Sequence, residues 1–218
     1  MIRLTNIHFS YAGSVVLRGA DFVLSPGDRV GLVGPNGSGK TTLGRIMMGL
    51  LKPASGEVRV FGKIRAEEAD FAEIRGRVGY LFQDSDDQLF CPTVLEDVAF
   101  GPLNQGKSLE EVKRIVSRTL TRLGLTGFED RLTYKLSGGE KRLVSLATVL
   151  AMDPEVLILD EPTTGLDEET TEKLKRILTG SGLAYIVISH DDGFIAETTN
   201  KIARMSAGRV EEIVPRHS

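Results

Sequence analysis

The sequence predicts an α/β fold, and three features of the 218-residue chain support that prediction. Two runs, Val156–Leu159 and Tyr185–Ser189, are strongly apolar, which is typical of parallel strands buried on both faces. Amphipathic helical patterns alternate with strand patterns along the chain. A glycine-rich loop joins another predicted strand, Arg29–Val33, directly to one of these helices. An α/β core is the architecture that fits all three features.

The first sixty residues predict short strands separated by turns, with one helix among them. The predicted strands are Ile2–Phe9, Val15–Leu17, Asp21–Leu24, Arg29–Val33 and, after the helix, Gly56–Phe61. The helix is expected from Lys40 until just before Pro53, because its apolar residues recur at spacings of three and one. These residues are Leu43, Ile46, Met47, Leu50 and Leu51.

The middle third of the chain has mostly helical patterns, which follow a predicted strand at Val78–Phe82. The helices expected there are Val94–Phe100, Ser108–Leu123 and Glu140–Met152. A further helix, Glu168–Leu178, separates the two buried strands near the end of the chain. We interpret the middle third as a helical insertion in the α/β core.

Composition and charge exclude several classes of protein. The 27 basic and 30 acidic residues leave a formal net charge of -3, which gives no strong field to gather nucleic acid. No apolar run approaches the ~18 residues of a membrane-spanning helix, and the N-terminus lacks the apolar core of a secretory signal. A single cysteine, Cys91, excludes an internal disulfide and favours a reducing, cytoplasmic setting.

The most specific motif is a phosphate-binding loop between a predicted strand and a predicted helix. Its residues are Gly34, Pro35, Asn36, Gly37, Ser38, Gly39, Lys40 and Thr41. The glycines let successive backbone N–H groups converge on phosphate oxygens, where the N-terminus of the helix also points. We expect Lys40 to hold the β- and γ-phosphates and Thr41 to place its hydroxyl on Mg²⁺, with Thr42 on the same helical turn.

Two adjacent carboxylates, Asp160 and Glu161, end the buried strand that starts at Val156. Ligands of open α/β sheets bind at the carboxyl ends of the strands, so both side chains are expected near the nucleotide. Asp160 suits the binding of Mg²⁺, and Glu161 suits the activation of a water molecule in line with the γ-phosphate. A GTPase is disfavoured, because Asn200-Lys201-Ile202-Ala203 lacks the aspartate of the guanine-binding motif.

The segment Leu136-Ser137-Gly138-Gly139-Glu140 resembles the signature LSGGQ of ATP-binding cassette (ABC) ATPases. Four other positions match this family's motifs in the same order. They are Tyr11 for the aromatic that stacks on adenine, Gln83 for the Q-loop, Thr164–Asp167 for the D-loop and His190 for the switch histidine. The chain is therefore identified as a member of the ABC ATPase family by resemblance.

The resemblance implies a P-loop NTPase fold with a mixed β core, a helical subdomain and an antiparallel β subdomain. Residues 1–218 would form one domain, with the core and β subdomain in about 1–82 and 153–218 and the helical signature subdomain in about 83–152. It implies ATP as substrate with Mg²⁺ as cofactor. Gln83 and His190 would sense the γ-phosphate, Gln83 would also contact Mg²⁺, and Asp167 would belong to the D-loop.

The signature segment admits two interpretations that are compatible. Ser137 and Glu140 match a helix capping box, in which each side chain binds the other residue's backbone N–H. A capped helix start with Gly138 and Gly139 also exposes N–H groups that suit a γ-phosphate. In the family, this surface contacts nucleotide bound by the other subunit. Glu140 replaces the usual glutamine, which brings a carboxylate near a negative ligand.

The stretch Phe82–Pro102 looks like the ATPases of cobalt, nickel and energy-coupling-factor (ECF) vitamin importers. Such ATPases work as homodimers or heterodimers with a related ATPase, beneath a membrane coupling protein and a substrate-binding membrane subunit. The expected location is peripheral, at the cytoplasmic face of the cell membrane, without nucleic acid. Many of these ATPases have a C-terminal extension, which is not expected in a chain ending at Ser218.

The same stretch offers a physical basis for docking. Three carboxylates lie beside two apolar side chains, and the residues are Asp84, Asp86, Asp87, Leu89 and Phe90. A basic, partly apolar helix of a partner fits this composition, whereas a solvated acidic loop is the simpler alternative.

Two other functions stay open at the level of sequence. One is a soluble ABC ATPase of DNA maintenance or translation, although the separation of 97 positions from Lys40 to Ser137 leaves no room for a long coiled coil. The other is a nucleotide-binding regulatory module with little turnover.

Overall fold

The computed structural model describes residues 1–215, so the last three residues of the predicted domain lie outside the described residues. The strands in chain order are β1 (Ile2–Tyr11), β2 (Ser14–Leu24), β3 (Arg29–Val33), β4 (Ser55–Val60), β5 (Lys63–Ile64), β6 (Val78–Leu81), β7 (Val156–Asp160), β8 (Ala184–Ile188), β9 (Lys201–Ser206) and β10 (Arg209–Pro215). The helices are α1 (Lys40–Met47), α2 (Glu68–Ala72), α3 (Val94–Asn104), α4 (Leu109–Arg122), α5 (Gly138–Leu150), α6 (Glu168–Thr179) and α7 (Asp192–Thr198).

Over residues 1–215, the larger sheet has six strands in the order β10-β9-β3-β8-β7-β6. Its strands pair in parallel except for β10, which is antiparallel to β9. The carboxyl ends of β3, β6, β7 and β8 therefore meet at one edge, where open α/β sheets bind ligands. This order brings together segments that are more than one hundred residues apart in sequence.

The smaller sheet is antiparallel, with four strands in the order β2-β1-β4-β5. Together the two sheets give the mixed α/β architecture, so the predicted fold class is confirmed. No helix within residues 1–215 has the length and apolar character needed to cross a membrane.

Two hydrophobic cores lie on opposite faces of the larger sheet, because successive side chains of a strand point to opposite faces. On β7, Val156 and Ile158 pack with the antiparallel sheet and α1. Leu157 and Leu159 pack instead with the helices α3 to α7. The apolar run of β7 is thus buried on both sides, as predicted.

Three helices, α3 to α5, lie between β6 and β7 in the chain, and each begins with a capping box. The paired residues are Thr93 with Glu96, Ser108 with Glu111, and Ser137 with Glu140. In each box, the hydroxyl accepts a hydrogen bond from the third residue of the helix, and the glutamate accepts one from the cap's own N–H.

The structure contradicts the predicted break between Val15–Leu17 and Asp21–Leu24. The two segments form one continuous strand, β2, which has a bulge opposite β1. Gly19 lies at the bulge with φ +84°, and a Cβ there would lie 2.8 Å from Oδ1 of Asn6. Glycine thus lets the strand bend without ending, whereas a sequence pattern treats it as a turn.

Helix α1 is shorter than the prediction, which placed its end just before Pro53. It ends at Met47, and Gly49 follows in the left-handed region with φ +70°. The N–H of Leu50 donates to the carbonyl of Arg45 at 2.9 Å, which closes the helix. A Cβ on Gly49 would lie 2.2 Å from the ring of Phe71, so only glycine fits this stop.

Sequence patterns alone do not predict β5, α2, α7, β9 and β10. The two helices have five and seven residues, fewer than the ~11 that a periodicity window needs. β10 is an edge strand whose residues are largely exposed or half-buried, so it has no apolar run. These elements form because they pair with neighbouring strands or pack against the hydrophobic cores.

Candidate active site

The candidate active site lies where four parallel strands end. The loop after β3 holds the phosphate-loop residues, and Gln83 follows β6. Asp160 is the last residue of β7, Glu161 comes directly after it, and His190 follows β8. The sheet thus gathers most of the predicted catalytic residues at one edge.

The phosphate loop has a backbone that only glycine permits at its first position. Gly34 has φ +151°, and a Cβ there would lie 2.0 Å from the carbonyl oxygen of Met205 in β9. Gly39 has φ +104° and forms the N-cap of α1. The hydroxyl of Ser38 is buried and makes no hydrogen bond with any of residues 1–215, so the loop holds a polar group without a partner among them.

Lys40 and Thr41 begin α1 beneath this loop. Nζ of Lys40 donates to the carbonyl oxygens of Gly34 at 2.8 Å and Pro35 at 3.1 Å. The lysine is buried, which holds its charge at the centre of the loop. The hydroxyl of Thr41 donates to Oδ1 of Asp160 at 3.1 Å and so connects the phosphate loop with β7.

Asp160 is the most buried carboxylate of the site, with 1% of its surface exposed. The hydroxyl of Tyr80 donates to its Oδ2 at 3.0 Å. Burial raises the pKa of Asp160, while the hydrogen bonds from Tyr80 and Thr41 oppose that rise. Burial and the neighbouring Asp160 charge in turn raise the pKa of Tyr80, so its hydroxyl keeps its proton and donates.

Asp160 and Thr41 also pass a simple test as Mg²⁺ ligands. Mg²⁺ prefers hard oxygen donors and usually binds through one or two carboxylates together with substrate phosphates. A carboxylate oxygen and a hydroxyl 3.1 Å apart, next to a phosphate loop, provide such donors. Within residues 1–215, no cluster of three or more acidic, His or Cys side chains forms a dedicated metal cage.

Glu161 is held in an unusual conformation at the start of the next loop. Its φ is +46°, in the left-handed region, and its N–H donates to the carbonyl of Ile188 at 2.8 Å. Its Oε2 accepts from the hydroxyl of Ser189 at 3.3 Å and lies 3.0 Å from Nδ1 of His190. The hydrogen bond with Glu161, and then its charge, raise the pKa of the exposed His190.

A buried arginine of α5, Arg142, joins the helices to this edge of the sheet. Only 3% of its surface is exposed, and within the described part of the chain its guanidinium donates to backbone carbonyls alone. The acceptors are Asp160 and Glu161, each at 2.7 Å, Pro162 at 3.1 Å, Gln83 at 3.3 Å, and Phe82. Burial lowers the pKa of Arg142 to about 10, which leaves it charged at neutral pH.

One cavity of about 490 Å³ brings several predicted nucleotide-binding residues together. Its lining includes Tyr11, the phosphate loop, Gln83 and Glu161. Tyr11 is 43% exposed and packs edge-to-face on Phe9, with ring centroids 4.7 Å apart. An exposed aromatic ring at one end and a phosphate loop at the other suit a nucleotide.

The signature residues do not line that cavity. Ser137, Gly139 and Glu140 lie at the start of α5, and Gly138 lines a separate cavity of about 640 Å³ together with Gln83. Asp167 caps α6, where its carboxylate accepts from the N–H of Thr170 at 2.7 Å. Hydrogen bonds from Thr170 lower the pKa of Asp167.

Sequence reasoning missed Tyr80, Ser189 and Arg142 as parts of the site. Tyr80 and Ser189 gave no signal, because a tyrosine within a strand and a serine directly after one are both ordinary. Arg142 did give one, since it lies on the same helical face as Leu146 and Val149, which form part of the buried core. A charged residue within a buried stripe needs partners, and here the strand ends supply them.

A phosphate loop beside an acidic strand end defines the class of P-loop nucleotide-binding proteins. Within that class, the family model described as ABC transporter matches residues 17–164. The match covers well over half of the chain, so this protein belongs to the ABC transporter family and is its ATP-hydrolysing domain. The predicted family and the prediction of an ATPase are confirmed.

Two relatives are similar to this chain over almost its whole length. A protein of Nitratidesulfovibrio vulgaris, named as an ABC transporter ATP-binding protein, is 51% identical over 96% of this chain and 78% of its own length. The energy-coupling factor transporter ATP-binding protein EcfA of Methanothermobacter thermautotrophicus is 43% identical over 96% of this chain and 69% of its own length.

Two solved structures have the same fold. CbiO1 of Clostridium perfringens, described as part of the ABC transporter complex CbiONQ, has a TM-score of 0.85 and 33% identity. The similarity covers 98% of this chain and 88% of the CbiO1 chain. The ATP-binding cassette MJ0796, solved as a dimer bound to ADP and Pi, has a TM-score of 0.88 and 26% identity over the full length of both chains.

The contacts of Arg142 generate a prediction about stability. In Arg142→Lys, one ammonium group replaces a planar guanidinium and cannot reach all five carbonyls. We expect the free energy of unfolding, measured with urea, to fall by about 2 kcal/mol or more, because buried carbonyls lose their donors. Arg118→Lys, at an exposed position of α4, is the matched control. Equal unfolding curves for the two variants would contradict the bridging role.

The pair of His190 and Glu161 generates a prediction about protonation. Removing the carboxylate in Glu161→Gln removes the main cause of the raised His190 pKa, so the titration midpoint should move to lower pH. The midpoint is followed by NMR of the imidazole Cε1 proton, assigned with a His190→Gln variant. Glu169→Gln, an exposed carboxylate on α6, should leave the midpoint in place. An unmoved midpoint in Glu161→Gln would rule the contact out.

Proposed function

We propose that this chain is the ATP-hydrolysing subunit of an ECF-type importer that moves a metal ion such as cobalt or nickel, or a vitamin, across the cell membrane. The proposal is supported by the similarity to EcfA, named as an energy-coupling factor transporter ATP-binding protein, and to CbiO1, described as part of the ABC transporter complex CbiONQ. The helical subdomain, about residues 83–152, would then face the membrane subunits. The subunit would act from the cytoplasmic face of the membrane.

The proposed nucleotide-binding site is the cavity that runs from Tyr11 to the phosphate loop. The exposed ring of Tyr11 would stack on adenine, and the loop's N–H groups would surround the phosphates. Lys40 would turn from the carbonyls of Gly34 and Pro35 toward the β- and γ-phosphates. Mg²⁺ supplies positive charge to the triphosphate when bound, and Thr41, Asp160 and Gln83 would hold it.

Hydrolysis depends on the geometry around Glu161. Ser189 and His190 both contact Oε2, so the second carboxylate oxygen is free to accept a hydrogen bond from water. Glu161 would take a proton as the water oxygen bonds to the γ-phosphorus and the bond to the bridging oxygen of ADP breaks. His190, with its raised pKa, would donate a hydrogen bond to the γ-phosphate, and Gln83 would sense the same group.

The complete site would form between two copies of this chain, or between this chain and a related ATPase. The single observation that best supports this arrangement is that the signature lies outside the chain's own nucleotide cavity. Ser137, Gly138 and Gly139 would instead contact the γ-phosphate held by the partner, while Asp167 would lie along the interface. The relative MJ0796 was solved as a dimer with ADP and Pi.

A groove beside the acidic loop is the proposed docking surface for the membrane coupling protein. This groove, here the Phe90 groove, has a volume of about 560 Å³, and its large apolar lining residues include Met48, Leu50, Phe82, Phe90, Phe100 and Met152. Phe90 is 66% exposed and packs edge-to-face on Phe100. Leu89, in contrast, packs against the helical core and offers little surface.

Charge complementarity indicates what kind of helix fits the Phe90 groove. The carboxylates of Asp87 and Asp97 line it, and Arg75, which also lines it, is paired with Glu68. A helix with an apolar face and a basic side chain matches these features.

Hydrolysis is tested with Glu161→Gln. The amide cannot accept the proton of the attacking water, so turnover should fall by at least ~10²-fold, the size of a general-base loss. ATP binding should survive, because the phosphate loop is unchanged. Turnover is measured by phosphate release and binding by equilibrium dialysis, with Glu169→Gln as control. Near-normal turnover would remove Glu161 from this role.

Docking is tested by reversing the charges of the acidic loop in Asp86→Lys/Asp87→Lys. Both side chains are exposed, and the new ammonium groups would repel a basic helix. Copurification with the membrane coupling protein of the same transporter should weaken at least ~10-fold. ATP affinity of the chain alone should stay within about twofold, since neither residue lines the nucleotide cavity.

The matched control reverses Glu211 and Glu212, which are exposed on the edge strand β10. This control should copurify as the unaltered chain does. If the Asp86/Asp87 variant loses membrane partner and nucleotide equally, the docking role of this loop is wrong.

A further inference from the structure

Two neighbouring residues hold the side chain of Glu140 by hydrogen bonds at the start of α5. Its Oε2 accepts from the N–H of Ser137 at 2.8 Å, and its Oε1 accepts from Nη1 of Arg131 at 2.9 Å. The N–H of Glu140 donates in turn to the hydroxyl of Ser137 at 3.3 Å. The carboxylate is therefore part of the helix cap and, at the same time, one half of an ion pair.

Arg131 is itself placed by the loop before α5. The guanidinium carbon of Arg131 lies 3.6 Å from the centroid of the Phe128 ring. The backbone N–H of Arg131 donates to the carbonyl of Phe128 at 2.9 Å. Its carbonyl accepts from the N–H of Val94 at 3.0 Å. Phe128 packs against the helical core, so the arginine rests on a fixed aromatic surface.

The ion pair matters because Glu140 is charged. Hydrogen bonds from Ser137 and Arg131 lower its pKa, so the carboxylate is ionised at neutral pH. The neighbouring cation Lys141 is engaged elsewhere, 2.6 Å from Asp86. Without Arg131, a negative charge would stand in the first turn of a helix that, in the proposed function, meets a triphosphate.

We propose that Arg131 is a positioning residue that neutralises Glu140 and thereby makes the signature helix compatible with the partner's ATP. This inference rests on the proposed function, in which Ser137 and the two glycines contact nucleotide across a dimer. The arginine need not touch the nucleotide, because it acts by cancelling the nearby carboxylate charge and by fixing the cap. Its role is then needed only while residue 140 is a glutamate.

The test measures ATP-driven dimerisation of the full chain by analytical ultracentrifugation, in the Glu161→Gln background with ATP and Mg²⁺. Arg131→Met keeps the apolar stem on Phe128 and removes the charge. It should raise the ATP concentration for half-maximal dimerisation by roughly five- to tenfold, through like-charge repulsion. Arg118→Met, at an exposed position of α4, should have no effect.

The decisive comparison adds Glu140→Gln, which keeps the capping box but removes the charge. In that background, Arg131→Met should change half-maximal dimerisation by less than about twofold, because no carboxylate is left to neutralise. Thermal melting of each variant checks that it is folded. An equal loss in both backgrounds would assign Arg131 a merely structural role and overturn the inference, as would no loss in either. No ATP-driven dimer in the background protein would instead contradict the proposed function itself.

Discussion

The buried guanidinium of Arg142 is the contact on which the geometry of the site depends most. It belongs to the helix that begins with the signature residues, yet its hydrogen bonds go to the ends of β6 and β7. The same side chain therefore holds the backbone beside Gln83 and the backbone of Asp160 and Glu161. Any rotation of α5 relative to the sheet has to break or rearrange these hydrogen bonds.

The second constraint is the pre-formed arrangement of charges at the strand ends. Asp160 is buried between Tyr80 and Thr41, and Glu161 is held at positive φ against His190. Strained and buried carboxylates persist only where the surrounding structure fixes them. In the proposed mechanism, these groups are therefore in position before substrate binds, and such pre-organisation stabilises developing charge.

The sequence predicts those parts of the molecule whose chemistry is local. The phosphate loop is predicted because its glycines set the backbone directly, and the capping box of Ser137 and Glu140 is found where the spacing of its residues indicates. The roles of all the site residues, including Lys40, Glu161 and His190, stay predictions. Contacts between distant segments are not predictable in this way, since the hydrogen bonds of Arg142 cross some sixty residues to β6.

Errors in predicting secondary structure have the same origin. Gly19 is interpreted locally as a turn, but pairing with β1 carries β2 through it. Helix α1 keeps an apolar pattern beyond its end, but Gly49 and the ring of Phe71 stop it at Met47. In each case, a contact with a residue distant in sequence decides whether the element continues or ends, and the local sequence pattern carries no information about that contact.

The central claim is that two half-sites form one working site, and a structure of the Glu161→Gln variant with ATP and Mg²⁺ tests it most directly. The claim predicts a dimer in which Lys40 of one protomer and Ser137 of the partner subunit bind the same triphosphate. A nucleotide held by one protomer alone, with its γ-phosphate open to solvent, would contradict it.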